Sequence, residues 1–225
     1  MRVLASGSSG NAYVLDNILI ECGISYDRIL KLNNYNKIKY CIGSHSHGDH
    51  FKYAREIMSK GIRVYASSGT FRQAGIGKNY FASSVRAGGV YEIGDWTVEC
   101  YEAEHDADEP LYFVFEKENE MILFSTDNAF IHERHEGLTE IYLEANYDEE
   151  LLEQNIGAGL VPDARTQAIL GHMSLQAAEN YLCSLDLSKC RKITLLHLSD
   201  RNSHEAEFIK QIEKKTGIPT YGGLE

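Results

Sequence analysis

The order of apolar and polar positions predicts short strands and helices that alternate along the chain. Three apolar runs within residues 2–22 predict three strands, separated by a Gly/Ser loop and a tight turn at Asp16-Asn17. A helix is predicted at 25–32. A strand–loop–helix–strand pattern over residues 39–66 then predicts a βαβ unit.

The second half of the chain repeats this alternation. Residues 67–90 are rich in glycine and predict a loop with one short helix, and four strand-like runs then extend to residue 125. We expect two sheets packed face to face with helices outside, in one α/β domain of residues 1–225. The remaining predicted elements are strands at 139–144 and 192–196, and helices at 149–156, 163–170, 175–185 and from a Ser203 cap to about 216.

Composition is that of a soluble globular protein. The chain has 225 residues, of which 43% are hydrophobic and 24% charged, and no apolar run is long enough for a membrane span or a signal peptide. The five cysteines are dispersed without a CxxC pair, which predicts reduced thiols. We therefore expect a cytoplasmic protein with no membrane partner.

The net charge is −11. A protein that grips nucleic acid mainly through phosphates is usually basic, so this charge argues against a broad nucleic-acid groove. It does not exclude a nuclease, because bound metal ions carry positive charge that ligand carboxylates offset only in part.

Residues 45–50 contain the highest density of potential metal-ligating side chains in the sequence. His45, His47, Asp49 and His50 fall within six consecutive residues. Imidazole and carboxylate groups at this density are normally held together by metal ions. In an extended loop, residues two apart point the same way, so His45 and His47 can share one ion, and Asp49 and His50 can reach a second.

Two metal ions need further ligands from elsewhere in the chain. His105, Asp127 and His197 each come directly after a predicted strand. Polar residues at the carboxyl ends of strands are where open sheets place their sites. These three residues are therefore the predicted remaining ligands of a two-metal hydrolytic site.

The pattern H-x-H-x-D-H, followed by a single His, a single Asp and another His, resembles the metallo-β-lactamase fold superfamily over nearly the whole chain. The resemblance implies a four-layer αββα sandwich. Asp127 would bridge the ions, and Glu21, where the family usually has Asp, would orient a ligand histidine. It also implies a ligand set for each metal: His45, His47 and His105 for one, and Asp49, His50 and His197 for the other.

Four segments are similar to the YycJ (WalJ) branch, which is linked to DNA exonuclease activity and resembles tRNase Z. They are Val3 to Asn11, Glu144-Ala145-Asn146, Leu170 to Ser174 and His197-Leu198-Ser199; Tyr147 stands where the branch usually has His.

The branch implies two-metal phosphodiester hydrolysis. Asp49 would hold the nucleophilic water as well as a metal ion. His172, expected to start a helix whose N–H groups suit a phosphate, would protonate the leaving group or bind the scissile phosphate. Ser8, Asn11 and Asn146 are the expected substrate contacts.

Several alternatives remain open at this stage. Mixed imidazole and carboxylate ligation suits two Zn²⁺ ions, our preferred cofactor, or Mn²⁺. The expected substrate is a nucleic acid, and a small cyclic nucleotide is the alternative phosphodiester. A thioester or lactone hydrolase on the same fold, and a metal-stabilised binding module without activity, are further alternatives. The sequence leaves oligomerisation open.

Overall fold

The computed structural model describes residues 1–34 and 37–223, which form two compact units. Unit 1 comprises residues 1–102 and 106–113, and unit 2 comprises residues 103–105 and 114–223. The strands of unit 1 are β1 (Arg2–Ala5), β2 (Ala12–Leu15), β3 (Ile18–Ile20), β4 (Tyr40–Ile42), β5 (Arg63–Ser67), β6 (Ala82–Val85), β7 (Val90–Ile93) and β8 (Trp96–Glu102). Its helices are α1 (Tyr26–Leu32), α2 (Gly48–Phe51), α3 (Ala54–Ser59) and α4 (Ser68–Gln73).

Strand β9 (Leu111–Lys117) begins at the end of unit 1 and continues into unit 2. The other strands of unit 2 are β10 (Glu120–Ser125), β11 (Glu140–Glu144), β12 (Lys192–Leu196) and β13 (Thr220–Gly222). Its helices are α5 (Glu149–Gly157), α6 (Asp163–Leu170), α7 (Leu175–Cys183) and α8 (Glu205–Thr216). No helix among the described residues is both long and apolar enough to cross a membrane.

The sheet of unit 1 runs in the order β1-β2-β3-β4-β5-β6. Strands β1 to β3 pair antiparallel, and β3 to β6 pair parallel. The predicted βαβ unit is confirmed, because β4 and β5 are parallel neighbours. The core beneath this sheet includes Leu19, Ile29, Ile57 and Val64, each with 0% exposure.

The helix expected after the histidine cluster is interrupted. Instead of donating along a continuous helix, the Tyr53 N–H donates to the Cys22 carbonyl at 3.0 Å. Helix α2 therefore ends at Phe51 and α3 begins at Ala54. The Tyr53–Cys22 bond connects the chain that follows β3 to the end of residues 44–50, the segment that carries four predicted metal ligands and is called the metal-ligand loop.

Unit 2 places its parallel strands in the order β13-β12-β11-β10, with β9 beside β10. The strands are apolar on both faces: β12, for example, buries Ile193, Leu195 and Leu196 completely. This is the composition expected of parallel strands covered on both sides. The carboxyl ends of β10, β11 and β12 consequently meet at one edge of the sheet.

Three smaller expectations need correction or completion. Strand β6 lies within the stretch expected to be loop. Ser203 does not cap the last helix, since its hydroxyl donates to the Ser199 carbonyl at 2.6 Å and His204 holds the N-cap position. The five cysteines are free thiols, as predicted.

The predicted single domain stays a prediction. The described residues form two units, and each unit contains candidate ligands: His45, His47, Asp49 and His50 lie in unit 1, and His105, Asp127 and His197 lie in unit 2.

Gly23 allows a close backbone approach on which the metal-ligand loop depends. A Cβ at this position would lie 1.7 Å from the Asp49 carbonyl oxygen and 2.7 Å from the Asn11 nitrogen. We predict that Gly23→Ala lowers the free energy of unfolding by about 1–3 kcal/mol, the usual cost of overpacking. Thermal and urea unfolding of metal-free protein measure it.

Gly157→Ala is the matched control, since nothing lies within 4 Å of its added Cβ and the residue ends helix α5. That change is expected to be neutral or stabilising by about 0.5–1 kcal/mol. Equal stability of the two variants would show that the close approach of Gly23 to Asp49 is not required.

Candidate metal centre

The loop after β4 brings three imidazole rings into contact within unit 1. The His45 ring centroid lies 4.6 Å from that of His47 and 4.2 Å from that of His50. Asp49 Oδ2 lies 3.4 Å from His50 Nε2. All four predicted ligands of the cluster are therefore adjacent, and their donor types suit a divalent transition metal.

A buried carboxylate supports these rings. Glu21 is fully buried, accepts the Ser44 N–H at 3.1 Å on Oε1, and has its Oε2 3.5 Å from His50 Nδ1. Ser44 in turn places its hydroxyl 2.9 Å from His45 Nδ1. A partner at Nδ1 fixes the ring and directs Nε2 toward a metal ion. Glu21 thus has the contacts of the supporting residue expected from the sequence.

Asn11 is buried and bonded to protein on both sides of its amide. Its Oδ1 accepts the Gly7 N–H at 2.9 Å, and its Nδ2 lies 3.0 Å from His50 Nε2 and donates to the Asp49 carbonyl. With 0% exposure, the side chain has no surface for substrate. These contacts favour a role in holding Asp49 and His50, rather than the expected substrate contact.

Asp127 has the geometry of a bridging ligand within unit 2. One carboxylate oxygen, Oδ1, lies 3.6 Å from His197 Nε2, and the other, Oδ2, lies 3.6 Å from His105 Nε2. These separations are too long for hydrogen bonds. Two ligand atoms about 2.1 Å from a tetrahedral Zn²⁺ stand about 3.4 Å apart, so both pairs fit donors that share an ion.

The other nitrogen of each of these rings is also engaged. His105 Nδ1 lies 3.3 Å from the Gly171 carbonyl oxygen. His197 Nδ1 lies 3.4 Å from Glu144 Oε1, and Asn146 Nδ2 donates to the His197 carbonyl at 2.7 Å. Asn146 is nearly buried by this contact. Its position favours orientation of His197 over the expected contact with substrate.

His172 pairs with Glu144. His172 Nδ1 lies 2.7 Å from Glu144 Oε1, and its ring stacks on His197 at 5.2 Å. Burial lowers the pKa of His172, but the charge and hydrogen bond of Glu144, assisted by Asp127, outweigh burial and raise the pKa above its usual value. The carboxylate therefore favours a protonated ring that presents Nε2 as a donor.

The expectation that His172 starts a helix is wrong. Helix α6 ends at Leu170, and α7 begins only at Leu175, with Ser174 as its N-cap. The backbone between these helices is held instead by Glu144, whose Oε2 accepts the Met173 N–H at 3.3 Å. No helix N-terminus at His172 is available for a phosphate.

Glu144, which the sequence indicates only as part of a segment similar to the related branch, contacts several of the candidate site residues. It is fully buried and also accepts the Asn128 N–H at 2.9 Å. The Asn128 side chain accepts the Glu104 N–H at 2.8 Å, which positions the loop before His105. Asp127, Glu144, His172 and His197 offer ligand atoms within 4.8 Å of one another. In the sequence, this role of Glu144 is indicated by the position of the residue at the end of an apolar strand.

Backbone strain marks the same positions. Seven non-glycine residues of the described chain have positive φ, and three of them are buried: Glu21 at 62°, Asp127 at 48° and His197 at 53°. Each follows a buried strand closely. Such conformations cost about 1–3 kcal/mol and persist where surrounding contacts enforce them, often at functional sites.

Two further residues that the sequence singles out have different surroundings. Ser8 is exposed in the Gly/Ser loop. Tyr147, the departure from the related branch, packs in a hydrophobic cluster with Leu152 and Val161 and so belongs to the core.

Comparisons with known proteins agree with this geometry. No protein-family model matches the chain. It is 26% identical to exodeoxyribonuclease WalJ of Streptococcus pneumoniae, in an alignment that covers 89% of this chain and 82% of the relative. It is 29% identical to exodeoxyribonuclease YycJ of Bacillus anthracis, in an alignment that covers 90% of this chain and 84% of the relative.

Solved structures show the fold. The metallo-β-lactamase fold protein YhfI of Bacillus subtilis matches with a TM-score of 0.73 and 14% identity, over 98% of this chain and 94% of that one. Zn²⁺-bound PqqB of Methylobacterium extorquens matches with a TM-score of 0.72 and 12% identity, over 100% and 97%. The predicted α/β class and metallo-β-lactamase fold are confirmed.

The fold, the histidine and aspartate sets and these relatives define a metal-dependent hydrolase of the metallo-β-lactamase fold. Within that class, the sequence is similar to the WalJ/YycJ exodeoxyribonucleases.

A substitution of the buried Glu144 tests whether this carboxylate supports metal binding in unit 2. We predict that Glu144→Gln, which keeps the shape but removes the charge that faces His172 and His197, weakens divalent metal binding by roughly 10–100-fold. Titration with Zn²⁺ against a competing chelator measures the change. Glu153→Gln on the exposed face of α5 is the control, and should leave affinity unchanged. Equal affinities in all three proteins would contradict the supporting role of Glu144.

Proposed function

We propose that the protein is a two-metal phosphodiesterase that acts on DNA as an exonuclease. The observation that carries the proposal is Asp127, whose two carboxylate oxygens each face a different histidine. The WalJ and YycJ relatives, named exodeoxyribonucleases, supply the substrate class.

We further propose that the ligands of both units act together in one domain. His45, His47 and His105 would hold one ion, Asp49, His50 and His197 the other, and Asp127 both. Bound Zn²⁺ or Mn²⁺ ions would acidify a water molecule and stabilise charge on the phosphate. Zn²⁺ is preferred because the donor set mixes imidazole with carboxylate, and PqqB, of the same fold, carries Zn²⁺.

The protein side chains then have separate tasks. Asp49, partly exposed beside His50, would accept a hydrogen bond from the attacking water as well as bind metal. His172 keeps Nδ1 on Glu144, so its Nε2 proton is the one available to the leaving oxygen. Glu21, 3.5 Å from His50 Nδ1, and Glu144, 2.7 Å from His172 Nδ1 and 3.4 Å from His197 Nδ1, would orient these rings by their negative charge.

Removal of metal ligands tests the reaction class. We expect chelation, or Asp127→Asn, to reduce hydrolysis of end-labelled DNA by more than about 100-fold, because ligand loss should exceed the 10–100-fold typical of residues that support a ligand. Added Zn²⁺ or Mn²⁺ should restore the chelated wild type but not the variant.

The substrate panel should include single- and double-stranded DNA, RNA, a cyclic mononucleotide and a thioester. Preferred cleavage of the cyclic nucleotide, or of the thioester alone, by metal-loaded wild type would replace the exonuclease proposal with the corresponding alternative.

Two substrates with different leaving groups test whether His172 acts as the general acid. We expect His172→Ala to lower kcat on DNA by about 10²–10⁴-fold, since an alkoxide leaving group needs a proton. Hydrolysis of bis(p-nitrophenyl) phosphate, whose leaving group departs without protonation, should fall much less. His204→Ala, at the exposed start of α8, should leave both substrates unaffected. An equal loss on both substrates would indicate that His172 binds the phosphate or maintains the site rather than acting as the acid.

A further inference from the structure

A cavity of about 370 Å³ opens beside Asp49 within unit 1. It is lined by residues of the Gly/Ser loop, by the start of α1 and by α2 with the residues that follow it, including Ser8, Ser25, Arg28, Lys52 and Tyr53. A pocket of this size can hold a small ligand such as a nucleotide. The catalytic and metal roles proposed above use Asp49 but none of the other lining residues.

The charges of the cavity select an anion. Arg28 and Lys52 are exposed, and within residues 1–34 and 37–223 neither has a carboxylate partner. This is notable in a chain with 33 acidic and 22 basic residues. The single carboxylate of the lining belongs to Asp49, whose charge a bound metal ion would offset.

The cavity walls suit a nucleotide better than a bare anion. The hydroxyls of Ser8 and Ser25 can donate to phosphate or sugar oxygens. The half-buried Tyr53 ring provides aromatic surface, and Lys52 Nζ lies 5.5 Å from its centroid, so the ring and the cation form one part of the wall. Aromatic side chains accept bases of any sequence, each contact contributing about 1–3 kcal/mol. An exonuclease requires contacts of this sequence-tolerant kind.

The position of the cavity is fixed relative to Asp49. The Asn11 N–H donates to the Asp49 carbonyl at 2.7 Å, and the Gly23 N–H donates to the Asn11 carbonyl at 2.9 Å. The Gly/Ser loop and the chain before α1 are therefore bonded to the metal-ligand loop. A group bound on Arg28 and Lys52 is held at a set distance from Asp49.

Resting on the proposed phosphodiesterase activity, we infer that this cavity is a subsite for the nucleotide next to the scissile bond, with the phosphate of that nucleotide bound by Arg28 and Lys52. The occupant is part of a polynucleotide strand. The subsite explains how an acidic protein binds DNA without a broad basic groove: two cations beside the metal ligands suffice for one adjoining phosphate.

The test compares the double variant Arg28→Gln/Lys52→Gln with wild type on two substrates. KM for oligothymidylate should rise about tenfold or more, with kcat little changed, since a lost charged contact weakens binding rather than the chemical step. Hydrolysis of bis(p-nitrophenyl) phosphate, which lacks the adjoining phosphate, should be unchanged. Lys210→Gln/Lys214→Gln on the exposed face of α8 makes the same change in net charge and should affect neither substrate.

Direct binding provides a readout without catalysis. Fluorescence anisotropy of labelled phosphorothioate oligothymidylate, which resists hydrolysis, with Zn²⁺-loaded protein should show weaker binding by the cavity variant. The slope of log Kd against log salt should fall by about 0.7 for each lost phosphate contact. Arg28→Lys/Lys52→Arg should recover most of the affinity. Inorganic phosphate should compete weakly compared with an unlabelled oligonucleotide of the same phosphate concentration.

The outcomes separate the two proposals. Wild type that hydrolyses neither phosphodiester overturns the proposed function. Wild type that cleaves DNA, with an unchanged KM and salt slope in the cavity variant, overturns the subsite and leaves the function intact. An equal loss on both substrates also overturns the subsite, because it shows that the residues act on the whole site. Competition by inorganic phosphate equal to that of the oligonucleotide would reassign the cavity to free phosphate.

Discussion

Two fully buried carboxylates, Glu21 in unit 1 and Glu144 in unit 2, are the constraint on which the rest of the site depends. A buried carboxylate costs several kcal/mol unless hydrogen bonds and positive partners compensate. Each of the two accepts a backbone N–H and lies next to imidazole nitrogen: Glu21 faces His50, and Glu144 faces His172 and His197. The need to satisfy the carboxylates and the need to orient the histidines are met by the same contacts.

These contacts also explain the strained backbone. Glu21, Asp127 and His197 have positive φ because each must turn a polar side chain into the site directly after a buried strand. A non-glycine residue is held in this conformation only by its surroundings. At Glu21, the N–H donates to the Ile42 carbonyl at 2.9 Å, and the carboxylate holds Ser44. The strained backbone lowers stability at these residues, and in return their polar side chains point into the site.

The sequence was sufficient for features that depend on local pattern. Strand ends at residues 102, 125 and 196 precede His105, Asp127 and His197, as apolar runs followed by polar residues predicted. It was not sufficient where long-range bonds override local preference. Nothing local indicates that Glu144 pairs with His172, 28 residues away, or that Tyr53 donates to Cys22 and interrupts a helix.

The Gly/Ser start illustrates the same difference. The sequence predicts it only as a loop between two strands, and the structure gives its residues distinct contacts. Gly10, with φ of 138°, donates its N–H to the Gly7 carbonyl, the Asn11 N–H donates to the Asp49 carbonyl, and Ser8 lines the cavity. The helix expected at His172 does not form because the next residues pair with the chain after β11: the Asn146 N–H donates to the Met173 carbonyl at 2.8 Å, and the Leu175 N–H donates to the Tyr147 carbonyl at 2.7 Å.

Charge distribution connects the fold to the choice of substrate. A net charge of −11 repels a polyanion at long range, so any affinity for DNA must come from a local field. Under the proposed function, two sources would supply it: metal ions on the histidine and aspartate sets, and the cations Arg28 and Lys52 at the cavity beside Asp49. Both would act within a short distance, so a strand would be attracted only where it has already reached the site. Repulsion of the remaining strand then favours short engagement at an end over binding along its length. The acidic composition, which argues against a broad nucleic-acid groove, is thus consistent with an enzyme that works from a strand terminus.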